Sequence, residues 1–281
     1  MNERSSDQSP PPVTSWLQNG FHRFLSGYLR RHFHAVAITR EQRSESTISD
    51  QEPLIVYVNH PSWWDPLLAH FLNRQLFPNR QFYAPIDADA LAQYRVFAKL
   101  GFFGVQSEVM AGASQFLKVS KRILTAPNTA LWLTPEGRFA DPRDHQAPMM
   151  PGLAHVCSKM QSGCVLPLAM EYVFWEERLP VCLVQQGDPI RIADVPQQSS
   201  SQDAKSHWNE LLCSRLRESQ IRLSQMAIAR SSEPFENLLH GKKGAGVFYD
   251  TMRRLRSLAS GRSVRVSHGD QFSDSTERTQ P

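Results

Sequence analysis

The sequence has no long apolar run and no paired cysteines, and both absences exclude common protein classes. No apolar run approaches the ~18 residues that a membrane-spanning helix needs. The cysteines show no Cys-x2-Cys spacing and no histidine partners at zinc-finger spacing, and they number four: Cys157, Cys164, Cys182 and Cys213. We therefore expect neither a spanning helix nor a metal site. Unpaired thiols of this kind are typical of a reducing, cytoplasmic compartment.

Signatures of several enzyme classes and of secretion are also missing. The first residues, 1–7, lack the basic and then apolar pattern of a signal peptide. No Gly-x-Ser-x-Gly elbow occurs, which argues against a serine hydrolase of the α/β type. The stretch Gly241-Lys242-Lys243-Gly244 has neither the spacing nor the preceding strand of a phosphate-binding loop. No cofactor is expected.

Apolar runs and helical patterns alternate through the middle of the chain. With 281 residues and 41% hydrophobic content, the chain can bury one sizeable core. Strands are predicted at 54–59, 81–85, 129–134, 164–170 and 180–185, and helices near 15–38, 66–77, 88–99, 109–125, 148–161 and 203–229. The pattern predicts an α/β fold: a mostly parallel or mixed central sheet covered by helices, with amphipathic helices added at both ends.

Composition divides the chain into five segments. Residues 1–13 and 268–281 are polar and predicted to be disordered. Residues 14–52 are predicted to be a basic amphipathic helix and a polar linker. Residues 53–195 form the predicted α/β core, and residues 196–267 a C-terminal helical extension.

Basic residues concentrate at the two ends of the chain. Residues 14–40 hold four arginines and no acid, and residues 241–265 hold seven basic residues against Asp250. No nucleic-acid motif or aromatic base-stacking platform accompanies them, so nucleic acid is not expected as a partner. Because apolar residues interleave with the charges, an anionic membrane surface is the better candidate. The alternative is that both helices pack their apolar faces on the core.

A histidine and an aspartate five residues apart follow the first strand of the core. They are His60 and Asp65, in the run Asn59-His60-Pro61-Ser62-Trp63-Trp64-Asp65. A histidine oriented by a carboxylate can take a proton from a hydroxyl group. The pair alone is weak evidence, because a turn histidine beside a helix-starting Asp explains it equally well.

A second turn follows another apolar strand, at Thr134-Pro135-Glu136-Gly137-Arg138. Pro and Gly break the strand there. If the two strands are neighbours, Glu136 and Arg138 lie at the same sheet edge as His60. Taken alone, this would be an ordinary charged turn.

Together the two motifs resemble the glycerolipid acyltransferase family, which acylates glycerol phosphate, lysophosphatidate and lysophospholipids. The family carries Asn-His-x4-Asp and, some seventy residues on, Phe-Pro-Glu-Gly-Thr-Arg. This chain matches the first motif at Asn59, His60, Ser62 and Asp65, and the second at Thr134, Pro135, Glu136, Gly137 and Arg138. Two weaker blocks align at 101–107 and 165–169, so the resemblance covers about residues 53–190.

The resemblance implies a reaction and a set of substrate contacts. His60 would be the general base oriented by Asp65, in O-acyl transfer from acyl-CoA or an acyl carrier protein to the hydroxyl of a lipid acceptor. Contacts with substrate are implied for the other motif residues and for the glycine-rich block: Asn59, Ser62, Gly104, Val105, Gln106, Thr134, Pro135, Glu136, Gly137 and Arg138. The enzyme would be cytoplasmic and peripherally membrane-associated.

The chain departs from the family pattern at two positions. Gln106 stands where the family usually has an arginine thought to hold the phosphate of the acceptor, so the acceptor need not carry phosphate. Arg138 comes one position early and is followed by Phe139 instead of serine. Trp63 and Trp64 fill variable positions of the first motif, either in the core or at the mouth of a channel. Two other functions remain open: a non-catalytic membrane-binding protein and an acyl thioesterase.

Overall fold

Helices and strands alternate along the chain in the computed structural model, which describes residues 9–40, 48–106, 110–196, 198–241 and residue 272. The helices are α1 Ser15–His32, α2 Asp65–Leu76, α3 Ala88–Gln93, α4 Met110–Leu124, α5 Gly152–Lys159 and α6 Ser201–Ala229. The strands are β1 Ala35–Thr39, β2 Leu54–Val58, β3 Gln81–Asp87, β4 Phe102–Val105, β5 Thr129–Leu133, β6 Cys164–Val173, β7 Val181–Gln186, β8 Ile190–Arg191 and β9 Phe235–His240. Short 3-10 turns cover Arg95–Leu100 and Ile192–Asp194.

In the described part of the chain, all nine strands join one mixed sheet. Its order is β4-β3-β5-β2-β6-β7-β1-β9, and the short β8 pairs with β6. The strands from β4 to β6 run parallel to their neighbours, whereas β7 and β9 pair antiparallel with β6 and β1. The predicted fold class, an α/β fold with a mostly parallel or mixed sheet, is confirmed.

Helices cover both faces of this sheet. On β2, Val56 faces the cluster that includes residues of α1 and α2, while Ile55 faces the cluster that includes residues of α4, α5 and α6. A strand that is buried on both faces has a hydrophobic residue at every position, and all five residues of β2 are hydrophobic and buried. The core is thus two apolar layers with the sheet between them.

The first predicted helix is too long. The sequence predicts a helix over 15–38, but α1 ends at His32 and β1 begins at Ala35. Residues of β1 are buried on both faces, between β7 and β9. A short apolar run of this kind cannot be assigned to helix or strand by periodicity alone. The sheet therefore includes a strand from the predicted 14–52 segment.

The sheet also takes a strand from the predicted C-terminal helical extension. Helix α6 fits that prediction, but β9 follows it and forms the other edge of the sheet, beside β1. Strand pairing overrides the local helical pattern here. The predicted helix 88–99 is also divided, into α3 and a 3-10 turn. The second basic helix, predicted within 241–265, lies outside the described residues except for Gly241.

The N-terminal segment 9–13 was predicted to be disordered, but it contacts the core. Tyr83 donates its hydroxyl hydrogen bond to the carbonyl of Pro11, 2.9 Å away, and Val13 packs on the α4–α6 side of the sheet. Residues 1–8, and the tail 268–281 except Phe272, are not among the described residues. No helix in the described ranges is both long enough and apolar enough to cross a membrane.

Candidate active site

The two sequence motifs meet at one edge of the sheet. Strands β2 and β5 are parallel neighbours, with Val56 opposite Trp132 and Tyr57 opposite Leu133. His60 follows β2, and Glu136 follows β5, so both leave the sheet at its carboxyl edge. The two strands are therefore neighbours, as the placing of both motifs at one sheet edge requires.

His60 and Asp65 form a hydrogen-bonded pair. The distance from His60 Nδ1 to Asp65 Oδ2 is 2.6 Å. The Asp65 side chain is fully buried and the His60 side chain 17% exposed, so the pair is screened from water but reachable on the histidine side. Asp65 is the first residue of α2, where the helix dipole favours a negative charge. With Nδ1 held by Asp65, the second ring nitrogen, Nε2, is left for chemistry.

Two further groups bond the Asp65 carboxylate. The backbone N–H of Ser62 donates to Oδ2 at 2.9 Å, and the hydroxyl of Tyr172 donates to Oδ1 at 2.5 Å. Burial raises the pKa of the Tyr172 phenol well above its usual value, and the neighbouring Cys182 and Asp65 raise it further. Tyr172 is therefore a neutral phenol at neutral pH and can donate its hydrogen bond to Asp65.

Asn59 fixes the point at which the chain leaves β2. Its side-chain amide donates to the carbonyl of Met170 at 3.0 Å and accepts from the N–H of Met170 at 2.7 Å. These two bonds extend the pairing of β2 with β6 by one position, with the Asn59 side chain in place of a backbone group. Asn59 is fully buried and both ends of its amide are occupied, so the geometry favours a role in positioning His60, while substrate contact by Asn59 stays a prediction.

Glu136 holds the backbone of His60 from the opposite side. Its Oε2 accepts from the backbone N–H of His60 at 2.9 Å. Its Oε1 accepts from Arg217 of α6 at 2.8 Å. The side chain is fully buried. Substrate contact by Glu136 stays a prediction, and the geometry favours a different role, in which the carboxylate fixes the position of the histidine.

Arg217 is itself anchored within the protein. One guanidinium nitrogen bonds Gln220 as well as Glu136, and the other donates to the carbonyl of Ala147 at 2.5 Å. Gln220 donates onward to the carbonyl of Pro142 at 2.8 Å. Helix α6 thereby holds both the Glu136 turn and the loop that follows it.

The turn at Pro135-Glu136-Gly137-Arg138 requires glycine at its third position. Gly137 has φ 63°, and a Cβ there would lie 2.2 Å from Met150 Sδ. The Thr134 carbonyl accepts from the Gly137 N–H at 3.0 Å, and the Pro135 carbonyl accepts from the Met150 N–H at 2.7 Å. The Arg138 side chain is exposed, as the predicted contact with an anionic group requires.

Phe139 forms one wall of the site. Its ring centroid lies 4.6 Å from that of His60, although the side chain is largely exposed. The next residue, Ala140, donates its N–H to the carbonyl of His60 at 3.0 Å. The loop after β5 thus contacts both the ring and the backbone of the histidine, and it presents an apolar surface beside it.

The glycine-rich block lies at the same edge but farther from His60. Gly104 and Val105 end β4, and Gln106 follows as an exposed residue. Two strands, β3 and β5, separate β4 from β2, which amounts to about 14 Å at ordinary strand spacing. The described structure shows no contact between this block and the His60–Asp65 pair, so its role in substrate binding stays a prediction.

The two tryptophans of the first motif have different environments. Trp64 packs against the core on Phe33, with ring centroids 5.0 Å apart. Trp63 stacks on Trp64 at 4.4 Å and is 57% exposed. The core-packing alternative describes Trp64, whereas Trp63 is the one available to line the mouth of the site.

Three residues of the site were not found from the sequence: Tyr172, Arg217 and Phe139. Tyr172 and Arg217 lie 107 and 81 residues from the carboxylates that they contact. Neither belongs to a local motif, and only the sheet order and the packing of α6 bring them to the site. Phe139 was noted as a departure from the family pattern, but its contact with His60 was not foreseen.

Comparison with known proteins identifies the segment that carries the motifs. Residues 36–171 match the family model described as acyltransferase. This segment belongs to the acyltransferase family. The prediction of an acyltransferase enzyme is thereby confirmed, and both motifs lie within the acyltransferase segment. Two of the site's contacts come from beyond it: Tyr172 directly follows its end, and Arg217 lies on α6.

Other comparisons add little to this family assignment. No curated protein matches the sequence significantly. Among solved structures, a 1-acyl-sn-glycerophosphate (LPA) acyltransferase from Thermotoga maritima superposes with a TM-score of 0.43 and 14% identity, covering 78% of this chain and 83% of the other. The fold class of this chain follows from its own sheet order.

Proposed function

We propose that this acyltransferase moves a fatty acyl group from a thioester, acyl-CoA or an acyl carrier protein, to the hydroxyl of a lipid acceptor. The observation that carries the proposal is the 2.6 Å contact between His60 Nδ1 and the buried Asp65 carboxylate. This contact fixes the tautomer that has a hydrogen on Nδ1 and a lone pair on Nε2. A base in that state is suited to take the proton of a hydroxyl group.

The proposed reaction needs no covalent enzyme intermediate. The acceptor hydroxyl gives its proton to His60 Nε2 while its oxygen forms a bond to the thioester carbonyl carbon. The carbon–sulfur bond then breaks, and the leaving thiolate takes the proton back from the imidazolium. Asp65 stabilises the imidazolium while it exists. The products are an ester and a free thiol.

The carbonyl oxygen of the thioester becomes negative during the attack and needs hydrogen-bond donors. Backbone N–H groups of the turn after His60 are the candidates. Those of Ser62 and Trp64 already donate to side-chain oxygens of Asp65 and Ser62, and that of Asp65 donates to the Ser62 carbonyl. Among residues 62–65, this leaves the N–H of Trp63 for the role.

The acceptor hydroxyl enters beside an apolar wall. Phe139 contacts the His60 ring, Gln106 replaces the arginine expected for phosphate, and Arg138 is the exposed cation of the second motif. We therefore propose an acceptor whose hydroxyl lies next to apolar surface, with any anionic group bound by Arg138. A phosphate bound at position 106 is not part of this proposal.

We also propose that α1 brings the site to an anionic membrane surface. A row of aromatic side chains leads from α1 to the His60 turn and is exposed at its two ends: Phe24, 62% exposed, stacks on the half-buried Tyr28, and Tyr28 contacts the half-buried Trp64, the neighbour of the exposed Trp63. Trp16, at the start of the helix, is 76% exposed. Arginines lie on the same helix, at Arg23, Arg30 and Arg31. Aromatic and cationic side chains together are typical of helices that lie in the membrane interface.

A thiol-release assay tests the reaction. Purified protein is mixed with acyl-CoA or acyl carrier protein, with and without total lipid extract, and the lipids are then analysed by mass spectrometry. Acyl transfer predicts thiol release that needs lipid, together with a new acylated lipid. His60→Ala should reduce the rate by ~10² to 10⁴-fold. His207→Ala, a substitution on α6, is the matched control and should leave the rate unchanged.

Each other outcome assigns a different function. Thiol release that does not depend on lipid would indicate a thioesterase. Membrane binding with no release from either donor would indicate a non-catalytic protein. A folded His60→Ala variant with wild-type transfer would eliminate the proposed mechanism.

Vesicle flotation tests the membrane proposal separately. Binding to anionic vesicles should weaken at high salt, because salt screens the arginines. Phe24→Ala and Trp16→Ala should weaken it at low salt. Ile228→Ala, which removes an exposed apolar side chain from α6, should not. Equal binding by all three variants would show that α1 is not the docking surface.

A further inference from the structure

The Asp65 carboxylate is enclosed by three hydrogen-bond donors. His60 Nδ1 and the Ser62 backbone N–H both contact Oδ2, and the Tyr172 hydroxyl contacts Oδ1. Asp65 itself is buried. Tyr172 is therefore the donor that bonds the oxygen turned away from the histidine.

The fold places Tyr172 there by strand pairing. Its strand, β6, is the parallel neighbour of β2, and the Asn59 side chain bonds both backbone groups of Met170, two residues before Tyr172. Side chains two residues apart on a strand share a face, and Met170 belongs to the apolar cluster on the α1–α2 face of the sheet. The Tyr172 ring packs against Phe33, at the end of α1, with centroids 6.0 Å apart. The hydroxyl thus reaches Asp65 from a rigid support.

We propose that Tyr172 is a positioning residue of the acyl-transfer site: its hydroxyl fixes the Asp65 carboxylate against His60 and weakens the attraction of that carboxylate for the imidazole proton. Tyr172 does not touch the reacting atoms and acts through Asp65. The inference rests on the proposed function for its catalytic meaning, but its effect on His60 is independent of any substrate.

The sign of the effect follows from charge sharing. A carboxylate that accepts three hydrogen bonds has part of its charge neutralised by the donors, so it stabilises a nearby imidazolium less. Without the hydroxyl, Asp65 would stabilise the imidazolium more strongly, and the pKa of His60 would rise. More of the histidine would then be protonated at neutral pH, and less would be available as a base.

Other titratable groups around the pair should not obscure this effect. Cys182 on β7 stays a neutral thiol, because burial raises its pKa well above the usual value. Glu136, on the other side of His60, is paired with Arg217. Arg138 is exposed on its turn. None of these groups loses a partner when the Tyr172 hydroxyl is removed.

The test is the titration of His60 in Tyr172→Phe. Histidine-labelled protein is titrated by NMR, with the His60 signal assigned by its loss in His60→Gln. We expect the pKa of His60 to rise by about half a unit or more in Tyr172→Phe. With the lipid acceptor present, a half-unit rise should lower kcat by up to about 3-fold at neutral pH and move its acid limb to higher pH by the same half unit, while KM changes little.

Tyr57→Phe is the matched control. Tyr57 is also buried, and its hydroxyl donates to the backbone carbonyl of Leu212 at 3.2 Å. Loss of the Tyr57 hydroxyl should lower the free energy of unfolding about as much as loss of the Tyr172 hydroxyl does, but it should leave the titration of His60 unchanged. If both variants show the wild-type titration, or if both shift it equally, Tyr172 has only a structural role and the proposal is overturned.

A second variant tests the proposal if Tyr172→Phe does not fold. Difluorotyrosine at position 172 keeps the shape of the side chain and makes the hydroxyl a stronger donor. The pKa of His60 should then fall, and an unchanged or higher value would contradict the proposal. Because the titration needs no turnover, an enzyme without acyl-transfer activity would refute the proposed function and still leave the role of Tyr172 decided.

Discussion

The backbone N–H of His60 donates to a carboxylate oxygen of Glu136, although 76 residues separate them in sequence. The bond joins the two motifs directly and makes the Glu136 turn a support for the histidine. Arg217 bonds the other oxygen of Glu136, so a buried ion pair lies directly behind the His60–Asp65 pair.

Glu136→Gln should impair both stability and activity. The amide has one oxygen and must face two donors, Arg217 and the His60 N–H, so one of them loses its acceptor. Removing one partner of a buried ion pair typically costs about 3 kcal/mol or more, and we expect a loss of unfolding free energy of that order. The release of the His60 backbone should lower kcat about 10-fold. Chemical denaturation and steady-state kinetics measure the two effects.

A double-mutant cycle shows whether the two side chains act as a pair. Glu136→Gln combined with Arg217→Met should lose less unfolding free energy than the two single variants added together, because no charge is then buried alone. Glu218→Gln is the control: it breaks the exposed pair with Arg222 on the same helix and should cost no more than about 0.5 kcal/mol. Strictly additive losses would contradict the pairing.

Asp65→Asn should reduce kcat by ~10² to 10⁴-fold. The carboxylate accepts from His60, Ser62 and Tyr172, and an amide can accept only through its one oxygen. Its NH₂ group must then face a donor, which reverses the tautomer of His60 or turns the ring away. Steady-state kinetics with circular dichroism separates the loss of activity from unfolding. Asp89→Asn, on the exposed first turn of α3, should keep full activity, and a comparable loss in both variants would point to a general charge effect.

Gly137→Ala should destabilise the protein by about 1–3 kcal/mol. Alanine at φ 63° is strained, and its Cβ would collide with the Met150 side chain. Combining the variant with Met150→Ala should recover the part of the loss that is due to the collision. Thermal unfolding measures both.

Gly20→Ala is the opposite case and the control for Gly137→Ala. Gly20 lies within α1 with nothing within 4 Å of its would-be Cβ, so alanine should stabilise the protein by up to about 1 kcal/mol. Equal melting temperatures for the two alanine variants would show that the Gly137 turn is not strained by a side chain.

His70 should make stability fall as the pH falls. Burial lowers its pKa from 6.5 to about 4, with smaller contributions from His22 on α1 and Arg74 on α2. Among the described residues, neither ring nitrogen of His70 has a hydrogen-bond partner. Between pH 6.5 and 4 the unfolded chain therefore binds a proton that the folded protein does not, and stability is lost as the pH falls through that window.

Urea unfolding at several pH values measures this effect. The wild type should lose up to about 3 kcal/mol between pH 6.5 and 4 through His70, and His70→Leu should lose less. His207→Leu, on α6, is the control and should keep the wild-type slope. An identical pH dependence in wild type and His70→Leu would contradict the assignment.

The His60–Asp65 contact and the class of fold could be predicted from the sequence because both are encoded locally. His60 and Asp65 lie on one turn between a strand and a helix, and the alternation of elements predicts the parallel sheet. The second motif could be placed beside His60 only if β2 and β5 were neighbours, and the two strands do pair.

The supports of the site could not be read because they depend on long-range packing. Tyr172 lies near the end of the mostly apolar strand β6, directly after Glu171, and no local pattern marks it as a partner of Asp65. Arg217 is one of several charged residues on α6, and only the docking of that helix turns it toward Glu136. The strand β1 was mistaken for the end of a helix because its burial on both faces is a property of the assembled sheet.

The position of α6 has a consequence for dividing this protein into parts. The family-matched residues end at 171, yet the partner of Glu136 comes from residue 217, and Tyr57 on β2 bonds the carbonyl of Leu212 on the same helix. A fragment trimmed to the matched segment would contain both motifs and leave the Glu136 carboxylate and the Tyr57 hydroxyl without their partners. A fragment that is meant for grafting, truncation or chimera building must therefore include α6 to keep these contacts of the site.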